Sequence, residues 1–119
     1  MRTGPTNIHL QSLIATLKKH SHTSKSPIWM SIAIDLEKST RERRIVNLNK
    51  INRFTEQNET IIVPGKVLGT GILEHSVTVA AWSFSQSAKN EIEKAKGKCL
   101  SIQDLLQQNP QGKKVRVFG

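Results

Sequence analysis

The apolar run Val77-Thr78-Val79-Ala80-Ala81-Trp82-Ser83-Phe84 is rich in β-branched residues and is the strongest strand signal in the chain. It is far too short to span a membrane as a helix, and Ile61–Val63 is shorter still. Ala80 and Ala81 are small and leave room for close packing above the strand. After a turn at Gln57-Asn58, another strand is expected over Thr60–Val63, ended by a glycine-rich loop running from Pro64 to Gly71. Ile45–Leu48 reads as a short strand, Asn49–Phe54 as a short helix, and Lys114–Phe118 as a last strand. Ser85 or Ser87 starts a helix to about Lys96, and Gly97 supplies its stop. Ser101 with Asp104 resembles a capping box and opens a short helix over Ile102–Gln108, ended by Asn109-Pro110. Alternating strands and short helices point to an α/β or irregular layered domain.

The N-terminal part has a different pattern. Residues 1–6 read as a loose, flexible arm. Thr6 or Asn7 caps a helix to about Lys19, with Leu10, Leu13, Ile14 and Leu17 in one apolar stripe. His20–Lys25 is a polar break, after which Ser26-Pro27 opens a second helix that buries Ile28, Trp29, Ile32, Ala33 and Leu36. Trp29 is expected as a core anchor. At 119 residues the chain suits one domain, here 7–119, and is too short for two ordinary ones.

Charge narrows the function. Eighteen lysines and arginines against nine acids give a formal charge of +9, which implies a polyanionic partner, nucleic acid foremost. No basic amphipathic helix with bulky apolar residues opposite suggests a membrane surface, and Met1-Arg2-Thr3-Gly4-Pro5 lacks the apolar core of a secretory signal, so a cytoplasmic location is expected. A single cysteine, Cys99, excludes an internal disulfide and any multi-cysteine zinc site; lying between two elements, it reads as a packed thiol. His9, His20, His22 and His75 show no ligand spacing, and no metal is expected.

The densest charge lies at Lys38, Arg41, Arg43, Arg44, Lys50 and Arg53, opposed within that segment only by Glu42. Arginine forks suit phosphate, while Asn47, Asn49 and Asn52 hydrogen-bond bases, riboses or phosphates. Aromatics are 4% of the chain, which disfavours a binder built on base stacking and favours recognition of shape and phosphate. The stretch Gly65-Lys66-Val67-Leu68-Gly69-Thr70-Gly71 matches no nucleotide motif. Its lysine follows the wrong glycine for a P-loop, and Gly69-Thr70-Gly71 leads to no third glycine. Two readings stay open: Lys66 and the backbone of Gly69, Thr70 and Gly71 meet phosphates of a larger polyanion, or the glycines only shape a tight loop. No nucleophile has an evident base, so neither an enzyme nor a small-molecule substrate is expected.

Several ordered blocks carry a resemblance. They are Thr6-Asn7, Pro27-Ile28-Trp29, the run from Val46 to Phe54, the run from Glu59 to Gly71, Val77–Ala81, Phe84-Ser85, Asn109-Pro110 and Val115–Val117. Together they resemble the archaeal and eukaryotic large-subunit ribosomal protein family eighteen, a relative of bacterial large-subunit protein fifteen, over about residues 6–118. The resemblance implies irregular strand-strand-helix turns, no cofactor, and a structural role in binding large-subunit ribosomal RNA beside neighbouring ribosomal proteins. The absence of long basic extensions looks archaeal. Lys38-Ser39-Thr40-Arg41 departs from a family Lys-Pro-Arg-Arg stretch, and Asn49 stands where the family often has Gly, which suggests a left-handed backbone there. The expected interface is Lys38, Arg41, Arg43, Arg44, Asn47, Asn49, Lys50, Asn52, Arg53, Lys66, Gly69, Thr70 and Gly71; the alternative is a free RNA-binding regulator using the same surface outside the ribosome.

Overall fold

A computed structural model describes residues 5–37, 44–112 and 114–118. The chain divides into two compact units, Met1–Arg43 and Arg44–Gly119.

In the first unit, α1 (Pro5–Ser24) and α2 (Pro27–Leu36) pack on each other. Leu10, Leu13 and Leu17 of α1 are buried, as are Trp29, Ile32, Ala33 and Leu36 of α2. Trp29 is the anchor its position implies, with the His20 ring edge-on at 6.2 Å. The polar break expected over His20–Lys25 is instead helical through Ser24. The hydroxyls of Thr16, Thr23 and Ser24 donate to the carbonyls of Ser12, Lys19 and His20, at 2.9, 2.9 and 2.7 Å, so these residues bond back onto the helix rather than break it. Lys25, at φ +57°, ends α1. Ser26 is extended, as a cap residue should be, but its side chain makes no cap bond; the turn is closed by the Ser21 hydroxyl donating to the Ser26 carbonyl at 2.8 Å.

The second unit is a parallel sheet, five-stranded among the described residues, with helices on it. Its elements are β1 (Arg44–Asn47), α3 (Leu48–Phe54), β2 (Glu59–Leu68), β3 (Val77–Phe84), α4 (Gln86–Lys94), β4 (Lys98–Ser101), α5 (Ile102–Gln108) and β5 (Val115–Val117). The order is β1-β2-β3-β4, with β5 also on β2. Strand β2 thus carries β3 on one edge and two short strands in tandem on the other: β5 against Thr60–Ile62, β1 against Gly65–Leu68.

The loop expected from Pro64 onward is a correction. β2 continues through Pro64-Gly65 to Leu68, with its register against β3 shifting between Val63 and Lys66. Such a bulge tolerates proline, and Pro64 falls in the gap between the segments that pair β5 and β1, where no neighbouring strand requires its missing N–H.

Val46, Ile61, Val63, Val67, Val77, Val79 and Ala81 form one buried cluster with Leu48 and Ile51 of α3 and Ala88 and Ile92 of α4. Ile62 and Ala80, also fully buried, alternate to the opposite face. Helix α5 packs on β3 and β4, burying Ile102, Leu105 and Leu106. Right-handed crossovers require that arrangement, because β3-α4-β4 steps away from β2 while β4-α5-β5 returns past it.

Ser85 and Ser101 cap α4 and α5 as their sequence implies, accepting from the N–H groups of Ala88 at 3.1 Å and Asp104 at 3.0 Å. Lys98–Ser101 is a strand, not the connector expected around Cys99. The end of α4 also differs: Lys96, not Gly97, takes the left-handed position at φ +64°. Gly97 is needed for space, because a Cβ there would meet the Val77 backbone and Ile92 Cγ2, the latter at 3.1 Å. Gly97→Ala is therefore expected to destabilise the fold by about 1–3 kcal/mol, as an overpacked site does. Lys96→Gly has the opposite sign, about 0.5–1 kcal/mol more stable, since an L-residue held left-handed costs more than glycine's extra chain entropy. Thermal melts of the two variants check both.

Candidate nucleic-acid interface

Strand β1 delivers the chain into α3 by alternation: Ile45 and Asn47 are exposed, Val46 and Leu48 buried. In α3, Leu48 and Ile51 insert into the core and Asn49, Lys50 and Arg53 face solvent. Lys50 and Arg53, three apart, lie on one side of the helix. Asn47 is the N-cap residue, but its amide makes no cap bond and stays exposed. Lys66 is exposed on β2 opposite Ile45, and Asn47 lies opposite Leu68, so Lys66 and Asn47 share the sheet face turned away from Val46 and Val67. Among the described residues no ion pair reaches Lys50, Arg53 or Lys66.

The connection from β2 to β3 carries no helix; residues 69–76 cross over with Leu73 buried beneath them. This loop is pinned between α3 and α4. A Cβ on Gly69 would meet the Ser87 side chain and come within 2.7 Å of Ala88 N, at the start of α4. Gly71 adopts φ +106°, and a Cβ there would meet the Asn49 side chain and lie 2.9 Å from Asn49 N. The Thr70 carbonyl accepts from the Asn49 N–H at 3.1 Å, satisfying one of the donors that the first turn of a helix leaves open. Asn49 is itself helical, so the left-handed backbone expected there belongs to Gly71 across the contact.

Asn52 completes the clasp. Its amide donates to Glu74 Oε1 at 3.0 Å and its oxygen accepts from the Glu74 N–H at 2.9 Å. Thr55 closes the far end of α3. Its hydroxyl donates to the Ile51 carbonyl at 2.5 Å and faces His75 Nε2 at 2.8 Å; with its single proton already committed, it accepts from His75, which fixes the Nε2–H form of that ring.

The structure thus brings Asn47, Asn49, Lys50, Asn52, Arg53, Gly69, Thr70 and Gly71 together around α3, with Lys66 on the adjoining strand. Lys38, Arg41 and Arg43 lie outside the described residues, and of Arg44 only the backbone is described, as the first residue of β1. Of the two readings left open for the glycines, the one visible within the protein is packing.

Two residues near α3 were not anticipated. Phe54 is 53% exposed, with the Arg53 guanidinium 6.0 Å from its ring centroid. Arg116 donates to the Phe54 carbonyl at 3.0 Å and to Glu59 Oε2 at 2.8 Å. Helical phase carried a signal for the first, since a register that buries Leu48, Ile51 and Thr55 leaves Phe54 outside. Nothing local carried one for the second. Elsewhere, burial raises the Cys99 thiol above its ordinary pKa; Glu93 adds to this and Lys89 opposes it, so the thiol stays protonated and packed.

Because the glycines fit between two helices, their loss must register without any ligand. Gly71→Ala and Gly69→Val are each expected to lower the stability of the isolated protein by about 1–3 kcal/mol. Thr70→Ser, at an exposed side chain, should stay within about 0.5 kcal/mol. Denaturant titrations of the three variants test this ordering.

Residues 3–118 match the family described as ribosomal protein 60S L18 and 50S L18e. The chain is 52% identical over 117 residues to the large ribosomal subunit protein eL18 of Methanosphaerula palustris, covering 98% of this chain and 97% of that one. It is 49% identical to the eL18 of Methanospirillum hungatei JF-1 with the same coverage, and 46% identical to that of Methanothermobacter thermautotrophicus, covering 95% and 93%. With the family matched from end to end of the folded chain and the relatives sharing about half its residues, the chain belongs to the L18/L18e family of large-subunit ribosomal proteins.

Proposed function

We propose that this chain is a non-catalytic structural constituent of the large ribosomal subunit that binds folded large-subunit ribosomal RNA through the basic surface around α3. The full-length match to large-subunit proteins carries this reading. The geometry supports it with a mechanism. Lys50 and Arg53 are mounted on a helix anchored by fully buried Leu48 and Ile51, and Lys66 projects from a sheet strand, so these charges are held in place before RNA arrives. Arg41, Arg43 and Arg44, contiguous with β1 in sequence, are assigned to the same RNA contact on their charge alone. A preorganised set of cations then takes the place of the counterions condensed on the crowded phosphates of the folded RNA, and these are released to solution. Neighbouring ribosomal proteins complete the surroundings, the particle being cytoplasmic, and residues 7–119 act as one domain.

The test has two parts. In a cell lysate at low salt, the protein should sediment quantitatively with the large subunit; a free regulator would stay in the light fractions. Binding of the isolated protein to large-subunit RNA should fall with salt at a log–log slope of about −5, from roughly six phosphate contacts by the duplex coefficient. A flat salt response refutes the phosphate clamp. Replacing Arg41, Arg43 and Arg44 together by Gln should weaken RNA binding about tenfold or more, ~1.4 kcal/mol, while stability moves by no more than about 0.5 kcal/mol per site. A variant that unfolds yet binds normally when folded makes those arginines structural.

A further inference from the structure

The C-terminal end of α3 displays an aromatic ring that the fold does not use. Phe54 is 53% exposed although the helix buries Leu48 and Ile51, and the next residue, Thr55, is buried in its place. This exposure is not fraying. Arg116 Nη1 donates to the Phe54 carbonyl at 3.0 Å and is itself tied to Glu59, while the Thr55 hydroxyl donates to the Ile51 carbonyl one turn back. The backbone that carries the ring is therefore held on both sides. Arg53 lies over the ring at 6.0 Å from its centroid, the outer limit of a cation–π contact, and Lys50 is one turn away on the same helix. The helix contains no carboxylate. Among the described acids nearby, Glu59 and Glu74 are engaged with Arg116 and Asn52, which leaves the exposed Glu56 to oppose the local positive charge.

We propose that Phe54 is a stacking platform for a single unpaired nucleobase of the RNA, with Arg53 and Lys50 taking the phosphates that flank it. A rigidly carried aromatic ring between two unpaired cations fits the chemistry of a nucleotide: a π-face for the base, positive charge for its backbone. The scarcity of aromatic residues rules against a binder built on many stacks, and one anchored base is compatible with a surface that otherwise reads phosphate and shape. The proposal rests on the RNA-binding reading above and adds a specific contact to it.

Phe54→Leu keeps the apolar bulk and removes the π-face; Phe54→Tyr keeps both. Affinity is measured for protein-free large-subunit ribosomal RNA and for a fully duplex RNA, with a melting curve on each variant. The expected result is a loss of about tenfold on ribosomal RNA for Phe54→Leu, ~1.4 kcal/mol, with an unchanged salt slope, little change on duplex RNA, and near wild-type binding for Phe54→Tyr. Arg53→Gln should weaken binding to both RNAs and reduce the salt slope by about one contact. Wild-type binding to ribosomal RNA by a folded Phe54→Leu overturns the stacking role while leaving the phosphate clamp intact. Unchanged RNA affinity combined with poor incorporation into subunits also overturns it, in favour of a protein neighbour at Phe54. If wild-type protein fails to bind the RNA at all, the RNA-binding reading falls first and this contact with it.

Discussion

Everything in the second unit depends on how β2 serves two sets of neighbours at once. Its edge toward β3 is paired almost throughout, while the opposite edge is shared end to end by β5 and β1. Two short strands can occupy one edge only if something separates them, and the Pro64-Gly65 bulge does so. β5 pairs up to Ile62, the Phe118 N–H adds a bond to the Ile62 carbonyl at 2.8 Å, and β1 begins at Gly65. A proline here neither loses a ladder bond nor invites a strand to bridge the gap. The bulge thus determines where β1 docks, and hence where α3 begins.

That placement explains why the charged surface is rigid. Burial of Leu48, Ile51, Val46 and Val67 contributes roughly 1.5–3 kcal/mol per side chain, whereas exposed ion pairs such as Lys18–Glu37 contribute about 0–1 kcal/mol. The apolar terms decide the fold, so the cations of α3 need no role in holding it. The short crossover of residues 69–76 works in the same direction. With no helix of its own, it must press against α3 and α4, and only glycines at 69 and 71 allow the approach. A loop whose sequence left phosphate contact and tight-loop shaping both open acts within the protein as a wedge between two helices.

Local pattern made much of this legible. α2, β3, α5 and the Ser85 and Ser101 caps follow from periodicity and capping chemistry, and Trp29 from its place in an apolar stripe. What local pattern missed is long-range. β4 is four residues whose strand character comes from pairing with β3. The continuation of β2 past Pro64-Gly65 comes from β1 lying alongside. Helix α1 persists through a polar stretch because its own hydroxyls bond backward, an outcome that a count of polar residues reads as a break. At the interface, Lys50, Arg53 and Lys66 were legible as charges in a basic chain. Asn52 was not legible as a clasp, because its partner Glu74 is 22 residues away, nor Arg116 as a tie, with the Phe54 carbonyl 62 residues away.

The distinction between Arg116 and Arg53 shows why net charge alone cannot locate a binding surface. Both are exposed, and both lie near an aromatic ring. Arg116 is spent on Glu59 and a backbone carbonyl, and moving it to a phosphate would loosen the end of α3 that it secures. Among the described residues no carboxylate pairs with Arg53, Lys50 or Lys66. In the free protein these charges repel one another, and counterions and the exposed Glu56 relieve them only in part, so a surface that adds nothing to folding is retained at an electrostatic cost. A phosphate brought to these cations would remove that cost and replace the counterions at once. Glu59 and Glu74 serve as local ties, to Arg116 and Asn52, and the cations they leave to solvent around α3 are the ones on which the proposed RNA contact rests.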